Sequence, residues 1–201
     1  MSRPVLRIVL ATANPDKTRE IHHVLATLPL AIELVPRPAD VPDVEETGAT
    51  LADNARLKAR ALCTAVGLPA LADDTGLEVD ALGGAPGVRA GRFAGDDATY
   101  ADNVERLLRE LEDVAPERRT ARFATVAVVC FPDGHELLGR GEVEGVIASV
   151  PRGAGGFGYD PVFEPLEGGG RTFAEMTTAE KHTLSHRGRA LRALAALLRD
   201  A

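Results

Sequence analysis

Apolar, branched runs alternate with clear helix starts in the first part of this chain. Residues 5–11, VLRIVLA, are typical of a buried strand. Asn14, Pro15 and Asp16 follow at once: Asn14 can cap a helix, Pro15 suits its first position, and Asp16 favours its positive dipole end. A second strand is predicted at 32–35. A strand that leads directly into a helix is typical of folds that pack helices on a sheet.

The remaining signals add a hairpin to this alternation. The predicted elements are a helix from Thr50 to about Val66, a strand at 69–72 ending at Asp73 and Asp74, a short extended piece at 77–79, a glycine-rich loop at 83–95, a helix from a cap at Asp97 to about Leu111, a strand at 122–131, and a last helix from the capping box at Thr177–Glu180 to about Arg199. Pro132, Asp133 and Gly134 indicate a turn, so residues 136–150 are expected to return antiparallel. We therefore expect one α/β or α+β domain over residues 1–201, with polar loops gathered around a cleft.

Composition excludes several classes of partner. The formal charge of −7 counts against wrapping DNA or RNA, and the absence of tryptophan counts against a stacking platform for single strands. No apolar run reaches about 18 residues, so no membrane span is expected. Cys63 and Cys130 both lie in apolar runs and are expected to be reduced core residues. These features favour a cytoplasmic protein with a small-molecule ligand and no nucleic-acid or membrane partner.

The loop from Thr12 to Lys17 is the first candidate for chemistry. Free backbone N–H groups at a helix N-terminus suit a phosphate, and Lys17 adds a positive charge at the same end. The alternative is a plain capped turn with a solvated lysine.

Four carboxylates make a second candidate, Glu45 and Glu46 in a loop and Asp73 and Asp74 at a strand end. Carboxylates held together can bind Mg²⁺, and one of them could act as a general base on water. Adjacent strand side chains point to opposite faces, so Asp73 and Asp74 are not expected to line the same cleft. The alternative is that these acids stay in water.

Lysine is rare in this chain. Of the 23 lysines and arginines, only Lys17, Lys58 and Lys181 are lysines. A phosphate site that needs compact point charges would explain why these three positions are not arginine. Chance is the alternative for so small a sample.

Two further motifs match known patterns poorly. Residues 153–158, GAGGFG, fit G-x-G-x-x-G, but the extended-looking segment after them does not open a helix, which excludes a dinucleotide fingerprint. His182 and His186 are spaced like a zinc pair, yet no third ligand follows. Ser185, His186 and Arg187 could instead donate hydrogen bonds to a base or phosphate.

Five motifs in order are more specific than any single one. TANPDK, EETGATLADNARLKA, ADDTGLEVDALGGAPG, GFGYDPVF and SHRGRAL together resemble the inosine triphosphate pyrophosphatase family, over residues 5 to about 191. That resemblance implies an elongated α/β fold with a mixed central sheet, flanking helices and two lobes around a substrate cleft. It also implies a homodimer, a Mg²⁺ cofactor, and hydrolysis of non-standard purine nucleoside triphosphates (ITP, dITP, XTP) to the monophosphate and pyrophosphate.

The resemblance also implies a role for individual residues. Asp74 matches the family's general base, which is also a metal ligand. Glu46 matches the second carboxylate on the metal side, and Glu45 is the alternative residue for that role. The substrate-binding residues implied are Thr12, Ala13, Asn14, Pro15, Asp16 and Lys17 around the triphosphate, Lys58, Lys181 and the small hydroxyl of Thr75 on the phosphate side, Phe157, Gly158, Tyr159 and Asp160 around the sugar and base, and His186 and Arg187 at the oxygen on position six of the purine.

Donors at that oxygen would select the base. Hypoxanthine and xanthine accept a hydrogen bond at position six, whereas adenine donates one, and a buried unpaired donor costs about 1–3 kcal/mol, or roughly ten- to a hundredfold in discrimination. Two departures from the family pattern are Ala13, where glycine is usual, and the segment 89–93, which lacks the usual aromatic residue before Arg92. Rival functions are a silent nucleotide-binding sensor and a pyrophosphatase for another modified nucleotide.

Overall fold

The computed structural model describes residues 5–200, with the side chain of the last of these left out. Its strands are β1 (Leu6–Leu10), β2 (Ile32–Val35), β3 (Ala70–Val79), β4 (Pro86–Gly87), β5 (Thr120–Cys130), β6 (Glu136–Ile147) and β7 (Phe163–Pro165). Its α-helices are α1 (Pro15–Ala26), α2 (Leu51–Val66), α3 (Tyr100–Glu110), α4 (Thr178–Leu184) and α5 (His186–Asp200).

The seven strands form one mixed sheet in the order β2-β1-β3-β5-β6-β7, with β4 paired to β3. β1 is parallel to both β2 and β3. β4 runs antiparallel to β3, and β7 runs antiparallel to β6. The α/β class with a mixed sheet and flanking helices is therefore confirmed. No helix among the described residues is long and apolar enough to cross a membrane.

The chain divides into two compact units, and the first consists of residues up to Asp74, 125–141 and from Arg187 onward. Its core contains apolar side chains of β1, β3, β5, α1 and α5, among them Ile8, Ile21, Leu71, Val129 and Leu191. α5 contributes one apolar face to this core, because Leu191 and Leu194 are buried and Leu198 packs against them.

The second unit consists of residues 75–124 and 142–186. Its core is built around Phe123, Phe163 and Phe173, with Leu107 of α3 and Leu111 directly after that helix. The prediction of a single domain with two lobes stays a prediction.

Several element boundaries differ from the sequence predictions, and three of these differences have a clear physical reason. β3 does not end at Asp73 and Asp74 but runs on to Val79, because both carboxylates are buried against cations and need no loop to reach water. α3 is capped by Thr99 rather than Asp97, with a reciprocal capping box between Thr99 and Asp102. The last helix is two helices, since Ser185 adopts an extended conformation (φ −63°, ψ 150°) between α4 and α5.

Candidate functional site

The loop before α1 has the predicted cap but not the predicted free N–H groups. The Asn14 side chain accepts hydrogen bonds from the N–H groups of Asp16 (2.9 Å) and Lys17 (3.2 Å). The N–H of Asn14 itself donates to Thr12 Oγ1 at 3.2 Å. A phosphate would have to compete with Asn14 for these donors, so the positive charge of Lys17 is the stronger attraction that this loop offers.

Ala13 does not strain that turn. Among the described residues no residue other than glycine has a positive φ. The loop therefore accommodates the Cβ that replaces the family's usual glycine, and this departure from the pattern has no backbone consequence.

A buried ion network lies behind Lys17. Lys17 Nζ lies 3.6 Å from Asp73 Oδ2, and Arg187 Nε donates to the same oxygen at 3.0 Å. Arg187 Nη1 also donates to Glu20, and its side chain is only 2% exposed. Since two carboxylates already hold this guanidinium, the contacts favour a role for Arg187 in fixing Asp73 over direct neutralisation of a substrate.

Asp74 faces a different helix from Asp73, as expected for adjacent residues of a strand. Its Oδ1 accepts from Lys58 Nζ at 3.1 Å, and its Oδ2 accepts from Asn54 Nδ2 at 3.2 Å. Lys58 Nζ also donates to Glu46 Oε1 at 2.6 Å, so one ammonium joins the two predicted metal-side carboxylates. Glu45 is exposed, and the geometry therefore favours Glu46 over Glu45 as the partner of Asp74.

A glycine brings the loop that carries Glu46 close to α2. The N–H of Gly48 donates to Asn54 Oδ1 at 2.7 Å, and a Cβ at this position would lie 2.6 Å from that oxygen. Asn54 thus joins the loop through its oxygen and Asp74 through its nitrogen. The segment EETG therefore needs its glycine to keep Glu46 beside Lys58.

Charge and burial shift the pKa values of Asp74 and Asp73 in opposite directions. Burial raises the pKa of Asp74, and Lys58 and Lys17 offset only part of that rise. Burial alone would also raise the pKa of Asp73, but Lys17, Arg187 and Lys58 outweigh it and hold the pKa far below its ordinary value. Asp73 is thus a permanent counter-ion, whereas Asp74 is the more basic carboxylate.

The pKa values of Lys17 and Lys58 also shift in opposite directions. Burial lowers the pKa of Lys17, and Asp73 compensates only in part. Burial would lower the pKa of Lys58 as well, but Asp74, Asp73 and Glu46 outweigh it and raise the pKa.

A cavity of about 460 Å³ adjoins Thr12 and Ala13 in the first unit. The segment after β2 forms its other wall, with Arg37, Pro38, Ala39, Val41, Pro42 and Asp43 as lining residues. Arg37 is paired with Asp43 and donates to the Val41 carbonyl at 2.9 Å. Thr12 and Ala13, two residues of the loop predicted to bind phosphate, therefore border open space and a cation.

The other predicted site residues lie in the second unit, where Lys181 and Asp160 form a buried pair. Lys181 Nζ lies 2.5 Å from Asp160 Oδ2 and 5.0 Å from the centre of the Phe157 ring. Asp160 Oδ2 also accepts from the N–H of Phe157 at 2.7 Å. Gly156 permits this bond, because a Cβ there would lie 1.9 Å from Asp160 Oδ2. Lys181 thus supports the segment 157–160.

The remaining predicted residues of this unit are placed differently from one another. His186 is buried and stacks on Phe123, with ring centres 4.5 Å apart. Tyr159 is a core residue, and its hydroxyl donates to the Ala90 carbonyl at 2.9 Å. Thr75 is half-buried on β3 next to Asp74, and Gly158 has a φ of +63°.

Asn54 and Glu20 are site residues that the sequence analysis missed. Both lie on the same helix face as a predicted lysine: Asn54 is four residues before Lys58 on α2, and Glu20 is three residues after Lys17 on α1. Helical spacing could therefore have identified them once the helices were predicted.

Among the described residues no group of three or more His, Cys, Asp or Glu side chains is arranged to hold a metal ion. Mg²⁺, however, is usually bound through one or two carboxylates together with substrate phosphates and water. Asp74 and Glu46 already share a cation, the ammonium of Lys58. Their oxygens are the right type and number for Mg²⁺ with a phosphate.

The fold and these motifs define a known family. A sequence model of the Ham1 family matches residues 8–197, so the chain belongs to the Ham1 family. It is 47% identical over 196 residues to a Streptomyces coelicolor protein named dITP/XTP pyrophosphatase, covering 96% of this chain and 98% of that one. It is 49% identical over 200 residues to a Frankia alni protein of the same name, covering 97% and 98%.

Solved structures show the same similarity. A HAM1 protein from Coxiella burnetii superposes with a TM-score of 0.87 at 43% identity, covering 98% of this chain and 100% of that one. A nucleoside-triphosphatase / dITP/XTP pyrophosphatase from Mycobacterium abscessus superposes with a TM-score of 0.73 at 45% identity, covering 96% and 100%. The family resemblance found in the sequence is confirmed.

Proposed function

We propose that this protein hydrolyses non-standard purine nucleoside triphosphates, such as ITP, dITP and XTP, to the monophosphate and pyrophosphate. The observation that carries the proposal is the arrangement of Asp74, a buried and basic carboxylate, against Lys58 and Glu46. The names of relatives that match nearly the whole chain supply the reaction and the substrate class.

Asp74 is the general base in this proposal. A water molecule gives a proton to Asp74 while its oxygen attacks the α-phosphorus; the bond from that phosphorus to the bridging oxygen breaks, and pyrophosphate leaves. Asn54 and Lys58 fix the two oxygens of the carboxylate, so its orientation toward the water is set before the substrate binds.

Mg²⁺ is the proposed cofactor, and Asp74 and Glu46 would hold it. The charged groups of this cluster are the cations Lys17, Lys58 and Arg187 and the carboxylates Glu20, Glu46, Asp73 and Asp74. Three cations face four carboxylates, so the cluster is itself anionic and would repel a triphosphate. A bound Mg²⁺ would supply the missing positive charge next to the phosphates. Lys17 and Lys58 would then bind the phosphate chain from the protein side.

The base and the sugar are assigned to the segment 157–160 and to His186. Phe157, Gly158 and Asp160 would enclose them, with Tyr159 holding that segment to the core and His186 donating to the oxygen on position six. Lys181, which the resemblance placed on the phosphate side, is assigned here to the base side because it binds Asp160 and lies over Phe157. Base contact by Arg187, the phosphate contact of Thr75, the homodimer and the cytoplasmic location stay predictions.

A turnover panel tests the proposal. ITP, dITP, XTP, ATP and GTP are compared with and without Mg²⁺, and reaction in ¹⁸O-water should place the label on the monophosphate. Asp74→Asn should lose activity by several orders of magnitude yet still bind IMP. The control Asp113→Asn, which changes an exposed aspartate, should keep wild-type activity. Binding without turnover of any of the five nucleotides would indicate a sensor and refute the proposal; label in the pyrophosphate would refute attack at the α-phosphorus.

A further inference from the structure

A second aromatic side chain stands beside Phe157. The ring of Tyr100 is centred 5.7 Å from that of Phe157, with the two planes inclined at 41°. Tyr100 is 40% exposed and Phe157 is half-buried. Both belong to the second unit, and together they present aromatic surface that the core of this unit does not cover.

The backbone that carries each ring is held in place. Tyr100 is the first residue of α3, directly after the Thr99 cap whose capping box with Asp102 fixes the start of the helix. Phe157 is held through its N–H by Asp160, and Asp160 in turn by Lys181. An exposed aromatic pair on a rigid base is a binding surface that loses little conformational entropy when a flat ligand covers it.

The chemistry of the pair suits a purine. The two rings offer apolar π faces, while the Lys181 ammonium lies 5.0 Å from the centre of the Phe157 ring and makes that ring a polarised stacking partner. Aromatic stacking with a base is worth about 1–3 kcal/mol per base. Stacking does not depend on the groups at positions two and six, so this contact would add affinity for every purine.

We propose that Tyr100 is a base-contacting residue, which together with Phe157 forms an aromatic site for the purine of the substrate. This inference rests on the proposed function for its substrate class. It assigns affinity to the aromatic pair and leaves discrimination between purines to hydrogen-bonding groups such as His186.

Substitution at Tyr100 separates stacking from simple bulk. Tyr100→Ala and Tyr100→Leu both remove the aromatic face, so each should raise KM for dITP roughly five- to 150-fold, as about 1–3 kcal/mol of stacking implies. Because ground state and transition state lose the same contact, kcat should change by less than about twofold. Tyr100→Phe keeps an aromatic face and should therefore have the wild-type KM. Leu166→Ala, which truncates another exposed apolar side chain of this unit, is the matched control.

Tyrosine fluorescence gives a readout that needs no turnover. The chain has two tyrosines and no tryptophan, and Tyr159 is buried with its hydroxyl bound to Ala90. Titration with IMP should quench the emission of the wild-type protein, and Tyr100→Phe should abolish that quenching while calorimetry shows unchanged IMP affinity. Full quenching in Tyr100→Phe, or unchanged IMP affinity in Tyr100→Ala, would overturn the inference.

The two hypotheses fail in different ways. If wild-type protein turns over dITP but Tyr100→Ala has its KM and IMP affinity unaltered, only the role of Tyr100 is refuted. If wild-type protein turns over none of the nucleotides, the proposed function is refuted, and the IMP titration still decides whether Tyr100 contacts a purine.

Discussion

Removing Arg187 should destabilise the protein strongly. This guanidinium is 2% exposed and holds two carboxylates, Asp73 and Glu20. In Arg187→Met both carboxylates stay buried without that partner, and removing one member of a buried ion pair costs about 3–5 kcal/mol. For a chain of this size each kcal/mol lowers Tm by about 2–4 °C, so Tm should fall by about 6–20 °C.

Thermal and urea unfolding of purified variants measure this effect. Arg199→Met, an exposed arginine of the same helix, should change the free energy of unfolding by less than about 0.5 kcal/mol. Adding Glu20→Gln to Arg187→Met should recover part of the loss, because one uncompensated charge is then gone. If Arg187→Met melts within about 2 °C of wild type, or the control loses as much, the buried network does not hold Asp73 as described.

Two more outcomes follow from the same contacts. The folded-state pKa of Asp73 lies below its ordinary value of 3.8, so its stabilising effect is present above that pH and is lost as pH falls. In urea unfolding from pH 7 to pH 3, the free energy of unfolding should therefore fall more steeply for wild type than for Asp73→Asn. Gly156→Ala should lose at least about 1 kcal/mol more unfolding free energy than Gly158→Ala: both have a positive φ, but only at Gly156 does a Cβ collide with Asp160. Equal losses in either comparison would contradict these two assignments.

The local elements could largely be predicted because their signals are local. Asn14 and Pro15 mark the start of α1 within three residues of sequence, and Thr177 and Glu180 do the same for α4. The break at Ser185 could not be predicted, because neither proline nor glycine stands at that position. The continuation of β3 was hidden for a different reason: two adjacent aspartates normally end a strand, and here one of them is neutralised by Arg187, more than a hundred positions away.

The candidate site could be predicted in part. The motif resemblance named Lys58, Glu46 and Asp74, and the structure brings these three side chains together. The free N–H groups expected at α1 are instead taken up by Asn14. Tyr100 carried no motif signal, since its relation to Phe157 depends on how a helix start and a distant glycine-rich loop pack in three dimensions.

The division of the chain limits how the protein can be dissected. The first unit takes three separate stretches of sequence and the second takes two, so the chain changes unit four times: inside β3, β5 and β6, and after the first residue of α5. No single cut therefore releases either unit as one continuous polypeptide. A fragment that ends at Asp74 would lack the β5 and α5 side chains of its own core, so half-length fragments of this chain should be recovered as aggregates or unfolded peptides rather than as miniature domains.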